Sequence, residues 1–149
     1  MTSKVMRDFT IHNRFLRKGE PTYFIADIAA NHDGELQRAI DLIFKAKEAG
    51  ADCAKFQHFD AKSIVSDFGF GSLTSLDTHQ SKWKKSVAEV YDEYHTKREW
   101  DAQLLGACSE AKIDFMTTPY NIAAVEYFKS HVPAFKIGSG DITYLPLLE

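Results

Sequence analysis

The chain has no long apolar run, no strong net charge and little cysteine. None of its apolar stretches approaches the roughly 20 residues that a transmembrane helix needs. Residues 1–20 also contain no apolar stretch of the length found in secretory signals. The 149 residues carry a formal net charge of -3, which gives no reason to expect a nucleic acid or an anionic membrane as partner. We therefore expect a cytoplasmic protein.

Cysteine occurs only at Cys53 and Cys108. Both lie in apolar contexts and lack the spacing of metal ligands, so we interpret them as reduced core residues. Hydrophobic residues make up 44% and charged residues 26% of the chain, a composition typical of globular proteins. A chain of this length is long enough for one domain with a core.

Short apolar runs alternate with helical patterns from Tyr23 onward. The apolar runs predict strands at 23–30, 51–57, 113–119 and 134–138. Helices are predicted at 34–50, at 96–112 and after Asn121, which is a helix cap. Between the second strand and the second of these helices lies an insertion with a Gly/Ser-rich stretch and a further helix, whose apolar face would carry Trp83, Val87, Val90, Tyr91 and Tyr94. This order predicts an α/β fold with a parallel sheet and right-handed crossovers.

Three local signals complete this outline. Residues 1–22 form an amino-terminal extension in which Phe9, Ile11 and Phe15 favour a small hairpin. Thr96 with Glu99 three residues later is a capping-box pattern. His58 and His79 are expected in loops.

Side chains in a strand alternate between two faces, and this separates aromatic from polar residues. One face would pack against the helices and carries Phe24, Ala26, Ile28, Ala54, Phe56, Phe115, Thr117, Phe135 and Ile137. The other face carries Asp27, Lys55, Gln57, Thr118 and Lys136. These polar residues lie near the carboxyl ends of the strands, where parallel α/β folds collect functional groups.

Two lysines, an acid and a hydroxyl at one edge of a sheet indicate a site for a small anion. The loops add Asn31 and His32 in the NHDG turn, of which His32 more simply fixes the turn. They also add Ser139 and backbone N–H groups in the GSGD turn. Two structural alternatives remain open at this point: Lys55 pairs with Asp27 inside the protein, or Lys136 pairs with Asp141.

Three blocks of the chain, FIADIAANHDGELQRAIDLIFKAKEAGADCAKFQ, FMTTPYN and PAFKIGSGDITYLPLLE, resemble the amino-terminal half of the sialic acid synthase family. That family contains N-acetylneuraminate, legionaminate and pseudaminate synthases. The resemblance runs from Tyr23 to Glu149 and is weakest at 68–95. It implies a (β/α)8 TIM barrel, of which residues 23–149 would supply about the first four β/α units.

The resemblance also implies a metal-dependent transferase of sialic acid biosynthesis. Such an enzyme condenses phosphoenolpyruvate with an N-acetylated amino sugar, such as N-acetylmannosamine, and releases phosphate. Its divalent metal, manganese or magnesium, polarises the sugar aldehyde. The family's phosphoenolpyruvate-binding positions correspond here to Lys55, Thr118, Lys136 and Ser139.

Asp27 corresponds to the family's catalytic acid, which is usually glutamate in that position. Asp141 likewise stands where glutamate is common. Supporting roles around the substrates fall to Asn31, Gln57 and Asp141.

A TIM barrel takes about 250 residues, so the resemblance implies a fragment that is inactive by itself. The family's metal-binding histidines and its sugar-reaching terminal domain would lie beyond Glu149, and no metal ligand is assigned in this chain. The full-length protein is expected to be a homodimer. Two other functions remain possible interpretations: a Schiff-base aldolase using Lys55 or Lys136, and a phosphosugar-binding half-barrel without catalysis.

Overall fold

The computed structural model describes residues 8–66, 68–69 and 83–149. An antiparallel hairpin of β1 (Phe9–Ile11) and β2 (Arg14–Leu16) precedes a parallel sheet of β3 (Ile25–Ala29), β4 (Cys53–His58) and β5 (Asp114–Pro119) in that spatial order. The helices of the described residues are α1 (Leu36–Glu48), α2 (Ala61–Ile64), α3 (Val87–Tyr94), α4 (Asp101–Ala111), α5 (Ile122–Phe128) and α6 (Leu145–Leu148). The predicted α/β class with a parallel sheet is therefore confirmed.

Part of the insertion between β4 and α4 lies outside the described residues, including His79 and most of the Gly/Ser-rich stretch. Within the ranges that the structure describes, no helix has both the length and the apolar character of a membrane span.

The aromatic face of the sheet packs against α1, α4 and α5. Ile28, Ala54, Phe56 and Phe115 are buried in one cluster with helix residues that include Ala39, Ile43, Leu104 and Phe128. The Phe115 ring stacks at 5.5 Å from the Phe56 ring and at 5.6 Å from the Phe128 ring, measured between centroids. The predicted assignment of faces is correct for these residues. It is wrong for Phe24, which precedes β3 and leaves 60% of its surface exposed.

Helix α1 shows how the sequence specifies these elements. Ala39 and Ile43 lie one turn apart on its buried face. Lys45 and Lys47 lie in its last turn, where positive charge is favourable. The chain then turns at Gly50, whose φ of +86° strongly favours glycine.

The fourth predicted strand, 134–138, is reduced to a single parallel bridge between Thr117 and Phe135. The Lys136 N–H donates to the Thr117 carbonyl at 3.1 Å. Among the described residues this segment pairs on one edge only, and we attribute its short pairing to that one-sided support. Lys136 is consequently exposed.

Two local predictions, one at each end of the insertion, are also wrong. Thr96 and Glu99 form no capping box, because a 3₁₀ turn at Arg98–Trp100 leads into α4. The capping box of this region is formed instead by Ser86 and Glu89 at the start of α3. His58 does not lie in a loop, since it is the buried last residue of β4.

The two cysteines lie in the core as free thiols. Burial raises the pKa of Cys53 and that of Cys108 to about 12, so both thiols stay protonated at neutral pH. Their interpretation as reduced core residues is confirmed.

Candidate functional site

The polar face of the sheet is ordered in two levels by strand register. Asp27 stands opposite Lys55, and Gln57 stands opposite Thr118 one level nearer the carboxyl ends. Registered neighbours in a parallel sheet project to the same side. The pairing of Thr117 with Phe135 places Lys136 in register with Thr118 on this same face. Lys55 and Lys136 therefore share one face, away from the helices.

Asp27 and Lys55 form an ion pair at the lower level. The Lys55 ammonium donates to Asp27 Oδ1 at 2.6 Å. The Lys55 side chain is only 7% exposed, whereas the Asp27 side chain is 61% exposed. The carboxylate thus compensates the cost of burying the ammonium and still presents itself to solvent. The pairing of Lys55 with Asp27, one of the two structural alternatives, is therefore formed. It leaves the Asp27 carboxylate accessible to a ligand.

A cavity of about 830 Å³ opens at the carboxyl ends of β4 and β5. Four of the predicted site residues line it: Gln57, Lys136, Ser139 and Asp141. The Lys136 ammonium forms no ion pair with any residue in the described part of the chain, so the alternative pairing with Asp141 is not formed. Lys136 is therefore a cation available to an anion in this cavity.

The GSGD turn, Gly138–Asp141, is shaped by a close approach between Asp141 and Gly138. A Cβ atom on Gly138 would lie 2.6 Å from Asp141 Oδ2 and 3.3 Å from Tyr120 Cε1, whereas one on Gly140 would meet nothing within 4 Å. The Asp141 carboxylate is therefore folded over Gly138 beside the Tyr120 ring. Burial raises the pKa of the Tyr120 hydroxyl, and the negative charges of Asp141 and Asp27 add to this effect.

Three aromatic rings form one side of the same cavity, and we call them the aromatic wall: Phe59, Tyr91 and Tyr120. The Phe59 ring lies 5.4 Å from the Tyr91 ring and 6.0 Å from the Tyr120 ring, between centroids. Phe59 and Tyr120 directly follow β4 and β5, and Tyr91 lies on α3. The alternating pattern that identifies strand residues does not extend past the strand ends, so the local sequence carries no signal for this group.

The other four predicted site residues, Asp27, Asn31, Lys55 and Thr118, lie outside this cavity lining. Thr118 is fully buried, and its Oγ1 has no hydrogen-bond partner among the described residues. A ligand can reach this hydroxyl only if a covering side chain moves. The Asn31 side chain donates to the Ile28 carbonyl at 2.9 Å and so closes the turn after β3.

His32 has the turn-fixing role expected from the sequence. The Gly34 N–H donates to His32 Nδ1 at 3.1 Å, and His32 Nε2 lies 3.3 Å from Thr96 Oγ1. Burial lowers the pKa of the imidazole, which agrees with an Nδ1 that must accept a hydrogen bond.

A buried polar network lies behind the site, on the helix side of the sheet. His58 Nε2 lies 2.9 Å from Asp101 Oδ1, and His58 Nδ1 lies 2.7 Å from Thr117 Oγ1. Because a carboxylate only accepts, Nε2 carries a proton. The network joins β4, α4 and β5 directly behind Gln57 and Thr118. The alternation of side chains along the strand correctly placed Thr117 on the face that packs against the helices. The local sequence carries no signal for the distant partner Asp101.

No three His, Cys, Asp or Glu side chains in the described ranges lie close enough to hold an ion. These residues do not fit a divalent metal, so the metal implied by the resemblance stays a prediction.

Known proteins resemble this chain over most of its length. Spore coat polysaccharide biosynthesis protein SpsE of Bacillus subtilis is 35% identical over 147 residues, covering 97% of this chain and 38% of its own length. Human N-acetylneuraminate-9-phosphate synthase is 34% identical over 137 residues, covering 91% of this chain and 37% of its own length. The chain thus spans well under half of these curated relatives.

The fold comparison gives the same relationship. The crystal structure of SpsE from Bacillus subtilis superposes with a TM-score of 0.70 at 33% identity, covering 95% of this chain and 36% of that one. The model of the NeuB family matches residues 42–149, which include β4, β5 and the cavity-lining turn. The chain therefore belongs to the NeuB family.

Proposed function

We propose that this chain supplies the phosphoenolpyruvate-binding part of a nonulosonic acid synthase. In this reaction C3 of phosphoenolpyruvate attacks the aldehyde carbon of an open-chain N-acetylated amino sugar, such as N-acetylmannosamine. Water adds to C2, and inorganic phosphate leaves. The observation that carries the proposal is Lys136, which has no ion-pair partner among the described residues, in a cavity one level above the Asp27–Lys55 pair on one face of a parallel sheet.

The anion-binding role rests on Lys136 and the GSGD turn. Lys136 and Ser139 line the cavity together, and they offer a cation and a hydroxyl to a phosphate or carboxylate. Lys55 lies one level below with its charge already directed to Asp27. Thr118 would complete the anion site when its hydroxyl becomes accessible. Phosphoenolpyruvate carries two anionic groups, and two lysines on one face suit such a ligand.

Asp27 is the group proposed to act as a general acid or base at the reacting centre. It is mostly exposed on the site face, while Lys55 fixes the position of its Oδ1. The fixed carboxylate can accept a proton from, or orient, the attacking water. Gln57 and Asp141 would orient the substrates from the cavity lining, and Asn31 would hold the turn that follows Asp27.

The wider assignments rest on the family relationship. We propose that β3, β4, β5 and the bridged segment around Phe135 are the first strands of a (β/α)8 barrel. The parallel order of the sheet and the short span relative to the relatives support this. The complete protein would act in the cytoplasm as a homodimer, with metal ligands outside the described residues.

The aldolase interpretation is weakened for Lys55. A Schiff base requires the lysine nitrogen to attack a carbonyl carbon, whereas Lys55 Nζ is directed to Asp27 Oδ1 at 2.6 Å. Reduction with borohydride in the presence of pyruvate separates the two mechanisms. A covalent adduct on Lys55 or Lys136 would establish the aldolase, and its absence together with phosphate release would support the synthase.

The test of the proposal uses the complete protein that carries this chain. Lys136→Ala removes a charge-assisted contact worth about 1.5–3 kcal/mol, so we expect the Kd for phosphoenolpyruvate to rise about 10- to 150-fold in calorimetric titrations. Asp27→Asn should lower kcat more than it raises KM. Lys129→Ala is the matched control, since it removes an exposed lysine on the far side of β5 that pairs with Glu126. Unchanged affinity in Lys136→Ala would refute the assignment.

A further inference from the structure

The buried network of His58, Asp101 and Thr117 is linked to the candidate site through Thr117. The Thr117 hydroxyl lies 2.7 Å from His58 Nδ1, and the Thr117 carbonyl accepts the Lys136 N–H at 3.1 Å. Among the described residues, His58 Nδ1 is the only hydrogen-bond partner of that hydroxyl. Thr117 therefore connects a network on the helix side of the sheet to a lysine on the opposite side.

The network holds Thr117 in one orientation. The His58 Nε2–H donates to Asp101 Oδ1 at 2.9 Å, so in the neutral ring Nδ1 accepts and the Thr117 hydroxyl donates. His58, Asp101 and Thr117 are each no more than 2% exposed, and buried hydrogen-bonded networks favour one arrangement of their side chains. The His58 carbonyl also accepts the Tyr120 N–H at 3.0 Å, which holds the end of β5 against the end of β4.

Lys136 depends on Thr117 for its position. The Thr117–Phe135 bridge is the only pairing between segment 134–138 and the sheet within the ranges that the structure describes. The Lys136 side chain forms no ion pair with a described residue, so no charged partner fixes its ammonium group. The backbone hydrogen bond to Thr117 is therefore the contact that sets where this cation stands at the cavity.

We propose that the buried pair of His58 and Asp101 positions Lys136 for anion binding by fixing Thr117. This inference rests on the proposed function. His58 and Thr117 are positioning residues, since neither of them lines the cavity that Lys136 lines. Loss of their hydrogen bond frees the Thr117 peptide, and the segment that carries Lys136 shifts with it. Binding of phosphoenolpyruvate should then weaken although every side chain that lines the cavity is still present.

The experiment changes the Thr117 hydroxyl in the complete protein and measures the Kd for phosphoenolpyruvate by calorimetry. Thr117→Val keeps a β-branched side chain and removes the bond to His58, so we expect the Kd to rise about 3- to 10-fold. Thr117→Ala also lacks the hydroxyl and should weaken binding to a similar extent. Thr117→Ser keeps the hydroxyl and should stay within about twofold of the unchanged protein. Urea unfolding gives the folded fraction of each variant, by which its Kd is corrected, so that a loss of stability alone produces no change.

Thr96→Val is the matched control. Thr96 is also a buried threonine, and its hydroxyl lies 3.3 Å from His32 Nε2. It belongs neither to β5 nor to the segment that carries Lys136, so its replacement should leave the Kd for phosphoenolpyruvate unchanged. A loss of affinity equal to that of Thr117→Val would mean that removal of any buried hydroxyl weakens binding, and it would overturn the proposal.

A double-mutant cycle with Lys136→Ala tests whether the effect passes through the lysine. In a protein that already carries Lys136→Ala, Thr117→Val should weaken binding by less than about twofold, because coupled residues do not act additively. A further loss as large as in the unchanged background would show that Thr117 acts independently of Lys136, and the proposal would then be wrong. It would also be wrong if Thr117→Val left the Kd unchanged. Failure of the proposed function has a separate signature, because Lys136→Ala by itself would then leave the affinity unchanged.

Discussion

The buried network behind the site predicts a large and specific loss of stability on removing Asp101. This carboxylate is 1% exposed and is shared between His58 Nε2 at 2.9 Å and Arg98 Nη1 at 3.3 Å. A hydrogen bond to a charged group typically contributes about 1.5–3 kcal/mol, and removing the carboxylate leaves the buried His58 N–H without an acceptor. We therefore expect Asp101→Ala to lose about 1.5–3 kcal/mol, a substantial share of the roughly 5–15 kcal/mol that stabilises an ordinary domain.

The assay is urea unfolding followed by tryptophan fluorescence. With a slope of about 2 kcal/mol per molar urea, the expected loss lowers the midpoint by about 0.8–1.5 M. Asp101→Asn keeps a carbonyl that accepts from His58 and loses only the charge facing Arg98, so its loss should be about 1 kcal/mol. Glu126→Ala removes an exposed carboxylate paired with Lys129 and should change stability by no more than about 0.5 kcal/mol.

A cost below about 1 kcal/mol for Asp101→Ala would refute this reasoning, as would equal costs for Asp101→Ala and Glu126→Ala. A double-mutant cycle with His58→Ala checks the pairing itself. Residues in one hydrogen-bonded network show coupling of about 0.5–3 kcal/mol, so a coupling near zero would mean that the cost comes from packing alone.

Three further predictions concern the turns and the core. Gly138→Ala places a Cβ 2.6 Å from Asp141 Oδ2, so it should displace that carboxylate and lower kcat/KM. Gly106→Ala adds a Cβ on α4 with nothing within 4 Å and should leave kcat/KM unchanged; equal effects would contradict the described turn. Burial lowers the pKa of His32 from 6.5, so as pH falls the unfolded chain takes up a proton before the native protein does. The stability of the native protein should therefore fall as pH drops below about 6.5, relative to a His32→Asn variant that does not titrate at this position. Parallel stability–pH curves for the two proteins would exclude this. Cys53 and Cys108 are buried and have pKa values of about 12. Neither should react with a thiol reagent at pH 8 until urea unfolds the protein, and rapid labelling of the native protein would disprove their burial.

The sequence determined the elements and the faces of the sheet because both depend on local periodicity. Apolar residues at helical spacing specify α1, and alternation along β4 separates Lys55 and Gln57 from Ala54 and Phe56. The alternation of side chains along each strand was therefore enough to assign the polar residues to one face. The assignment succeeded because a shift of the strand register by one residue would expose all the apolar side chains of that strand.

Tertiary structure decided what each polar group meets. Lys55 is buried against Asp27, while Lys136 stays exposed because its segment pairs with β5 through one bridge only. Thr96 contacts His32, 64 residues away, instead of capping a helix. His58 joins Asp101, 43 residues away. The aromatic wall likewise assembles from two strand ends and a helix. Such contacts depend on how separate elements pack together, and the spacing of residues along a single element carries no information about them.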